Sequence, residues 1–156
     1  MIDINIPGGP ALKIHHLVLD YNGTIALDGD LITGVPELLN LLAKDVQLHV
    51  LTADTHGTVK EKVAGIACHL QVIGEGAQDE KKGAYVKSLG EKNVAAIGNG
   101  RNDALMLSIA ALGISVLQNE GASPAAIAAS DICCKDIWDA LQLMLRPERL
   151  QATLRN

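Results

Sequence analysis

Residues 12–20, LKIHHLVLD, carry β-branched and apolar side chains up to an aspartate and then meet Asn22-Gly23, a dipeptide that favours turns. The pattern predicts a buried strand ending at Asp20. Over residues 34–45 the apolar positions shift to helical spacing behind a Gly-Val-Pro start, and residues 46–52, VQLHVLT, return to strand character. The alternation then continues: helix over 55–66, strand over 68–73, helix over 79–90, strand over 93–98, helix over 101–113, strand over 114–117, helix over 123–130, strand over 131–134 and a terminal helix over 136–154. Strands and helices in this order predict an α/β fold, a doubly wound and mainly parallel sheet with helices on both faces. Residues 1–11 would add a hairpin or an edge strand, and no linker or repeat divides the chain, so residues 1–156 are expected to form a single domain.

Apolar residues make up 48% of the chain but aromatics only 2%, with no Phe, so the core has to be built from Leu, Ile, Val and Ala. The net charge of −5 offers no basic stripe and argues against a nucleic acid or anionic membrane as partner. A start without a basic, continuously apolar leader and the lack of any long uninterrupted apolar run lead to the expectation of a cytoplasmic protein. Cys68, Cys133 and Cys134 form no CxxC pair and read as buried thiols rather than a disulfide framework or a zinc site. The histidines look scattered, and in a strand the rings of His15 and His16 would point to opposite faces.

In a doubly wound sheet, ligands bind beyond the carboxyl ends of the strands where the strand order reverses. Chemistry-bearing residues collect at those ends: Asp20, Thr52 and Asn99 each close a predicted strand, Asn102 and Asp103 open the helix after Asn99, and Lys82 lies in the first turns of another helix. Taken singly, each has an ordinary reading. Asn22-Gly23 is a turn, Thr52 a strand end, Lys82 a solvated helix charge, Asn102-Asp103 the first turn of a helix, and His56 a surface position.

Together, LVLDYNGTIALDG, LTADTHGT, KKGAYVKSLG and AIGNGRNDALML resemble the haloacid dehalogenase (HAD) superfamily, whose signature runs DxDGT, Thr or Ser after a strand, Lys, then GDGxND. The resemblance covers about residues 10–140. In its details it looks closest to the phosphorylation domain of P-type ATPases and to the soluble relatives of that domain. It implies a nucleophilic Asp20 that forms an aspartyl-phosphate, with Asn22, Thr52 and Lys82 as the other catalytic positions. It further implies a phosphate site made by Asn22, Gly23, Thr24, Thr52, Ala53, Lys82 and Asn102, partly through backbone N–H groups. Mg²⁺ would be held by Asp20, the Asn22 carbonyl, Asn99 and Asp103. The ligand would be a small phosphorylated substrate. The stretches between Asp20 and Thr52 and between Thr52 and Lys82 are too short for the family's inserted cap domain, so an open site is expected, covered by a neighbour in a homodimer or homotetramer.

The sequence departs from the signature twice. Asn22 stands where phosphatases of the family carry the general acid and base, and an amide cannot shuttle a proton; such catalysis is worth about 10²–10⁴ in rate. Asn99 stands where the family places a carboxylate on Mg²⁺. A second class is therefore carried beside the slow phosphatase or phosphotransferase: a module that binds phosphate and Mg²⁺ for regulation, without catalysis.

Overall fold

A computed structural model describes residues 1–54 and 57–156; His56 lies outside the described residues. Strands β1 (Ile2–Asn5) and β2 (Ala11–Ile14) pair as an antiparallel hairpin. The expected strand over 12–20 is thereby divided. His15 separates β2 from β3 (His16–Asp20), its N–H bonding Asn93 O at 2.9 Å and its carbonyl accepting the Gln47 N–H at 2.9 Å. A two-strand ribbon follows that the pattern did not predict, β4 (Ala26–Leu27) and β5 (Asp30–Leu31). Its turn is Asp28-Gly29, both at positive φ (50° and 82°), as a two-residue hairpin turn requires.

Next come α1 (Val35–Leu42), β6 (Gln47–Thr52), α2 (Thr58–Lys62), β7 (Cys68–Val72) and α3 (Gln78–Ser88). After β8 (Val94–Gly98), the predicted 101–113 helix is a 3-10 turn over Arg101–Asp103 leading into α4 (Ala104–Ile109). The chain ends with β9 (Leu112–Val116), α5 (Pro124–Ala129), β10 (Ile132–Cys134), α6 (Ile137–Leu145) and α7 (Pro147–Leu154). The terminal helix expected over 136–154 breaks because Pro147 has no N–H to donate and drives the preceding Arg146 out of helical geometry, to φ −132° and ψ 72°.

The main sheet is wholly parallel, in the order β10-β9-β8-β3-β6-β7. Leu17, Leu19, Leu48, Val50, Ala95 and Ile97 face a core shared with Val35, Leu39 and Leu42 of α1 and Ile137, Ala140 and Leu141 of α6. The intervening Val18, Leu51, Val94 and Ala96 pack against Val86 of α3, Met106 and Leu107 of α4 and Ala126 of α5. Burial on both faces explains why these strands read as apolar runs rather than as alternating ones. From β3 the chain moves out through β6 and β7, then returns to the other side for β8, β9 and β10. The order reverses at β3, and Asp20 sits at its carboxyl end.

Three sequence readings change. Cys134 is buried and Cys68 half-buried, but Cys133 is exposed, because alternation along β10 turns it outward. His15 lies outside any strand. The histidines are not scattered: His49 Nε2 lies 3.1 Å from His16 Nδ1, and its ring stacks on His69 at 5.2 Å, because β3, β6 and β7 are neighbours in register.

Candidate active site

Asp20 enters the site on the last residue of β3, with Thr52 ending β6 on one side and Asn99 following β8 on the other. Helix α3 carries Lys82 over the same edge. Lys82 is 1% exposed, and its ammonium lies 2.6 Å from both Asp20 Oδ1 and Asp103 Oδ1. Lys81, the neighbouring candidate, is exposed and donates to Glu75 O at 2.7 Å, so the cation at Asp20 is Lys82.

Burial and the nearby Asp103 push the Asp20 carboxyl up to about 7, against Lys82 and Thr24, which favour its ionised form. For Lys82, burial works against the charge, yet Asp20 and Asp103 more than offset it and hold the ammonium above its usual range. Thr24 is fully buried, and its hydroxyl lies 3.3 Å from Asp20 Oδ2 and 3.3 Å from Asn99 Oδ1. Asn99 Nδ2 donates to Gly121 O at 3.0 Å, which fixes the amide with its oxygen toward the Thr24 hydroxyl.

The cavity above these groups has a volume of about 240 Å³, room for a phosphoryl group and part of what carries it. Asp20, Asn22, Thr52, Ala53, Lys82, Asn99 and Asn102 line it, so most of the residues chosen from the sequence converge on one space. Others are placed differently. Asp103, expected on the metal, is fully buried with Oδ1 on Lys82, while Oδ2 accepts the N–H groups of Asn99 at 3.0 Å and Gly100 at 2.8 Å. It fixes the lysine and the loop from behind rather than lining the cavity. A Cβ on Gly98 would stand 2.6 Å from that carboxyl carbon, which is why a glycine precedes Asn99.

Gly23 and Thr24, expected as anion donors, use their N–H groups to close the turn, toward Ala26 O at 2.7 Å and Tyr21 O at 3.3 Å. Among the described residues, no group of three or more His, Cys, Asp and Glu side chains could hold a metal ion by itself. The oxygens of Asp20 and Asn99, turned to the same hydroxyl, nevertheless form a hard donor pair of the kind Mg²⁺ accepts while keeping several waters.

Solved structures superpose on this architecture at low sequence identity. Against the cobalt-bound deoxy-D-mannose-octulosonate 8-phosphate phosphatase of Haemophilus influenzae the TM-score is 0.71 at 15% identity, over 90% of this chain and 92% of that one. For the 3-deoxy-D-manno-octulosonate 8-phosphate phosphatase of Moraxella catarrhalis, solved with magnesium, phosphate and KDO, the TM-score is 0.67 at 20% identity, over 90% and 92%. A Legionella pneumophila protein described as a hydrolase of HAD subfamily III A gives 0.71 at 21% identity, over 91% and 87%. The chain has the haloacid dehalogenase fold.

No protein-family model matches the sequence. By sequence it belongs to one family with the uncharacterized protein MJ0073 of Methanocaldococcus jannaschii, 54% identical over 65 residues that make up 42% of this chain and 70% of that protein. It is also similar to MJ0072 of the same organism, 46% identical over 39 residues, 25% of this chain and 89% of that protein.

Within this HAD fold the described chain between β3 and β6 holds only the β4-β5 ribbon and α1, and between β6 and α3 only α2 and β7. Neither stretch contains a cap. Sequence reasoning missed Gln78, Gly100 and Glu120, which also line the cavity. Gln78 lies one helical turn before Lys82 and accepts Asn102 Nδ2 at 2.7 Å, so its i, i+4 spacing was the available signal. Asn99 follows β8 directly, whereas Glu120 comes later in the loop after β9, past Leu117, Gln118 and Asn119. No described helix is long and apolar enough to cross a membrane.

Proposed function

We propose that the chain is a Mg²⁺-dependent phosphatase or phosphotransferase that works through an aspartyl-phosphate on Asp20. The observation that carries this reading is the buried Lys82 ammonium 2.6 Å from Asp20 Oδ1, at the point where the strand order reverses and under a cavity also lined by Thr52, Asn99 and Asn102. A carboxylate attacks phosphorus only where the phosphoryl charge is offset, and phosphoryl transfer is catalysed mainly by positioning and electrostatics.

In this reading Asp20 attacks the phosphorus, Lys82 neutralises charge between nucleophile and phosphoryl oxygens, and Thr52, Ala53 and Asn102 orient those oxygens. Asp20, the Asn22 carbonyl and Asn99 would hold Mg²⁺, which supplies the remaining positive charge when bound. Asp103 keeps Lys82 in place. The phosphatases that share the fold, one solved with magnesium and phosphate and one with cobalt, support a phosphorylated substrate and a divalent cation here. Asn22 provides no proton, so ordinary monoesters turn over slowly unless another group of the site carries it.

The test is beryllium fluoride, which mimics an acyl phosphate. With Mg²⁺ it should raise the melting temperature of the wild-type protein and leave Asp20→Asn unmoved. Equal protection of the variant removes Asp20 as the acceptor. The amides at 22 and 99 favour a second reading, a phosphate- and Mg²⁺-binding regulatory module without turnover. Protection by beryllium fluoride with no hydrolysis of any ester would select it.

A further inference from the structure

Glu120 lies outside the four motifs, in the loop from β9 to α5, yet its carboxylate lines the same cavity as Asp20, Asn22 and Asn99. Its approach is measured at Gly23, where a Cβ would stand 2.4 Å from Glu120 Oε2 and 2.8 Å from Asn99 Oδ1. A side chain at position 23 would occupy the place the Glu120 carboxylate takes, and the φ of +80° there favours glycine independently.

The loop that delivers Glu120 is tied down on both sides. Before it, Gln118 adopts φ 41° and its Nε2 donates to Gly23 O at 2.6 Å and Thr24 O at 2.7 Å, while its Oε1 accepts the Ile137 N–H at 3.0 Å. After it, Gly121 O accepts Asn99 Nδ2 at 3.0 Å and the Ser123 N–H bonds Asn99 O at 2.8 Å. The loop around Glu120 is thus tied to the turn after Asp20 through the Gln118 side chain and to Asn99 through the backbone of Gly121 and Ser123. Among the described residues, Asp20 and Glu120 are the carboxylates that line the cavity, and Asp20 is committed to Lys82.

We infer that Glu120 carries the proton that Asn22 cannot. This rests on the reading of Asp20 as phosphoryl acceptor. In the first step Asp20 forms a bond to phosphorus as the ester P–O bond breaks, and protonated Glu120 gives its proton to the departing oxygen, releasing an alcohol and leaving a carboxylate. In the second, water attacks the phosphorus of the aspartyl-phosphate. Its P–O bond to Asp20 breaks, the Glu120 carboxylate takes the water's proton, and phosphate leaves with both side chains restored. The carboxylate reaches the cavity from β9 instead of from the turn after β3, so the role moves from one strand end to another across the same site.

The experiment compares wild type, Glu120→Gln and Glu120→Asp with two substrates, glycerol phosphate, whose alkoxide needs a proton, and p-nitrophenyl phosphate, whose phenolate does not. Glu120→Gln should lower turnover of glycerol phosphate about 100-fold. It should slow phosphorylation of Asp20 by p-nitrophenyl phosphate, read as the burst of p-nitrophenolate, by less than about 3-fold, since that step draws little on a proton donor. Glu120→Asp should recover part of the loss and shift the pH profile. Protection by beryllium fluoride should be the same in all three proteins.

Wild-type turnover in Glu120→Gln would overturn the inference. So would an equal loss on both esters together with lost beryllium fluoride protection, which would make Glu120 a ligand of the anion or cation site. If wild type binds beryllium fluoride but hydrolyses neither ester, Glu120 moves no proton and the Asp20 site stands without it. If wild type neither binds it nor hydrolyses an ester, the Asp20 reading falls first and this inference with it.

Discussion

Replacing Lys82 with Met keeps the aliphatic stem in its packing and removes only the ammonium, which isolates the electrostatic part of the cluster. Lys82 is 1% exposed and its ammonium bridges Asp20 and Asp103 at 2.6 Å each, so the variant leaves two carboxylates buried with no cation between them. Breaking a buried ion pair by removing one partner costs about 3–5 kcal/mol, which for a domain of this size corresponds to roughly 6–20 °C in melting temperature. The loss should depend on pH. In the native protein the Asp20 carboxyl titrates at about 7, above its ordinary 3.8, so the folded state holds the extra proton between those values. The Asp20 contribution to stability is therefore full below pH 3.8 and is lost as pH rises through about 7. Lys82 opposes that shift, and without it protonation of Asp20 extends to higher pH. Urea unfolding in EDTA should accordingly show Lys82→Met losing about 3–5 kcal/mol at pH 8 and less than half of that at pH 5.5, with an unchanged m-value. Lys81→Met, altering an exposed side chain, should stay within about 0.5 kcal/mol of wild type. A loss below about 1 kcal/mol at pH 8, or an equal loss at both pH values, would refute the view that Lys82 compensates two ionised carboxylates.

Acid stability should also report on His49, which is buried against His16, His69 and Tyr85, with its pKa lowered to about 4 by burial and then by His16 and His69. The unfolded ring binds a proton more readily, so its contribution is complete above pH 6.5 and is lost as pH falls toward 4, by about 1–2 kcal/mol after allowance for solvent near the exposed His69; His49→Leu should flatten urea stability across that window. At the site, Asn22→Asp should raise turnover of alkyl monoesters about ten-fold or more by supplying a second proton carrier. Asn99→Asp should tighten Mg²⁺, measured by calorimetry, by adding a charged oxygen donor. Unchanged turnover or unchanged affinity, respectively, would show that these amides do not limit the site.

The parallel sheet was legible because its strands are buried on both faces and so appear as apolar runs punctuated by Asp20, Thr52 and Gly98. What pattern could not supply were the places where backbone bonding overrides side-chain character. Residues 12–20 look like one strand, but β1 claims the first part as a hairpin partner and the main sheet claims the second, with His15 bonded to both Asn93 and Gln47 at the break. The Asp28-Gly29 ribbon is too short to produce a periodic signal. The break at Arg146-Pro147 was available from local chemistry and was hidden by continuous amphipathic spacing on either side.

For the site, strand ends were the productive signal. Asp20, Thr52 and Asn99 were each found by asking which polar residue closes an apolar strand, and the structure brings all three to one cavity. Applied once more, to β9, the same question leads across the tied loop to Glu120. Recognition by motif directs attention away from that strand, because no motif ends there. The two amides that make the motif reading incomplete are the reason to apply the question again. Asn99 accepts a bond from Thr24 and donates one to Gly121, next to Glu120 in the chain, and Gln118, two residues before Glu120, bonds the turn holding Gly23. An amide at position 99 can join these two loops because it both donates and accepts, whereas an ionised carboxylate only accepts. The amide at the end of β8 thus makes the contact that holds the β9 loop, and Glu120 with it, beside the cavity, a bond that an ionised carboxylate at position 99 could not donate.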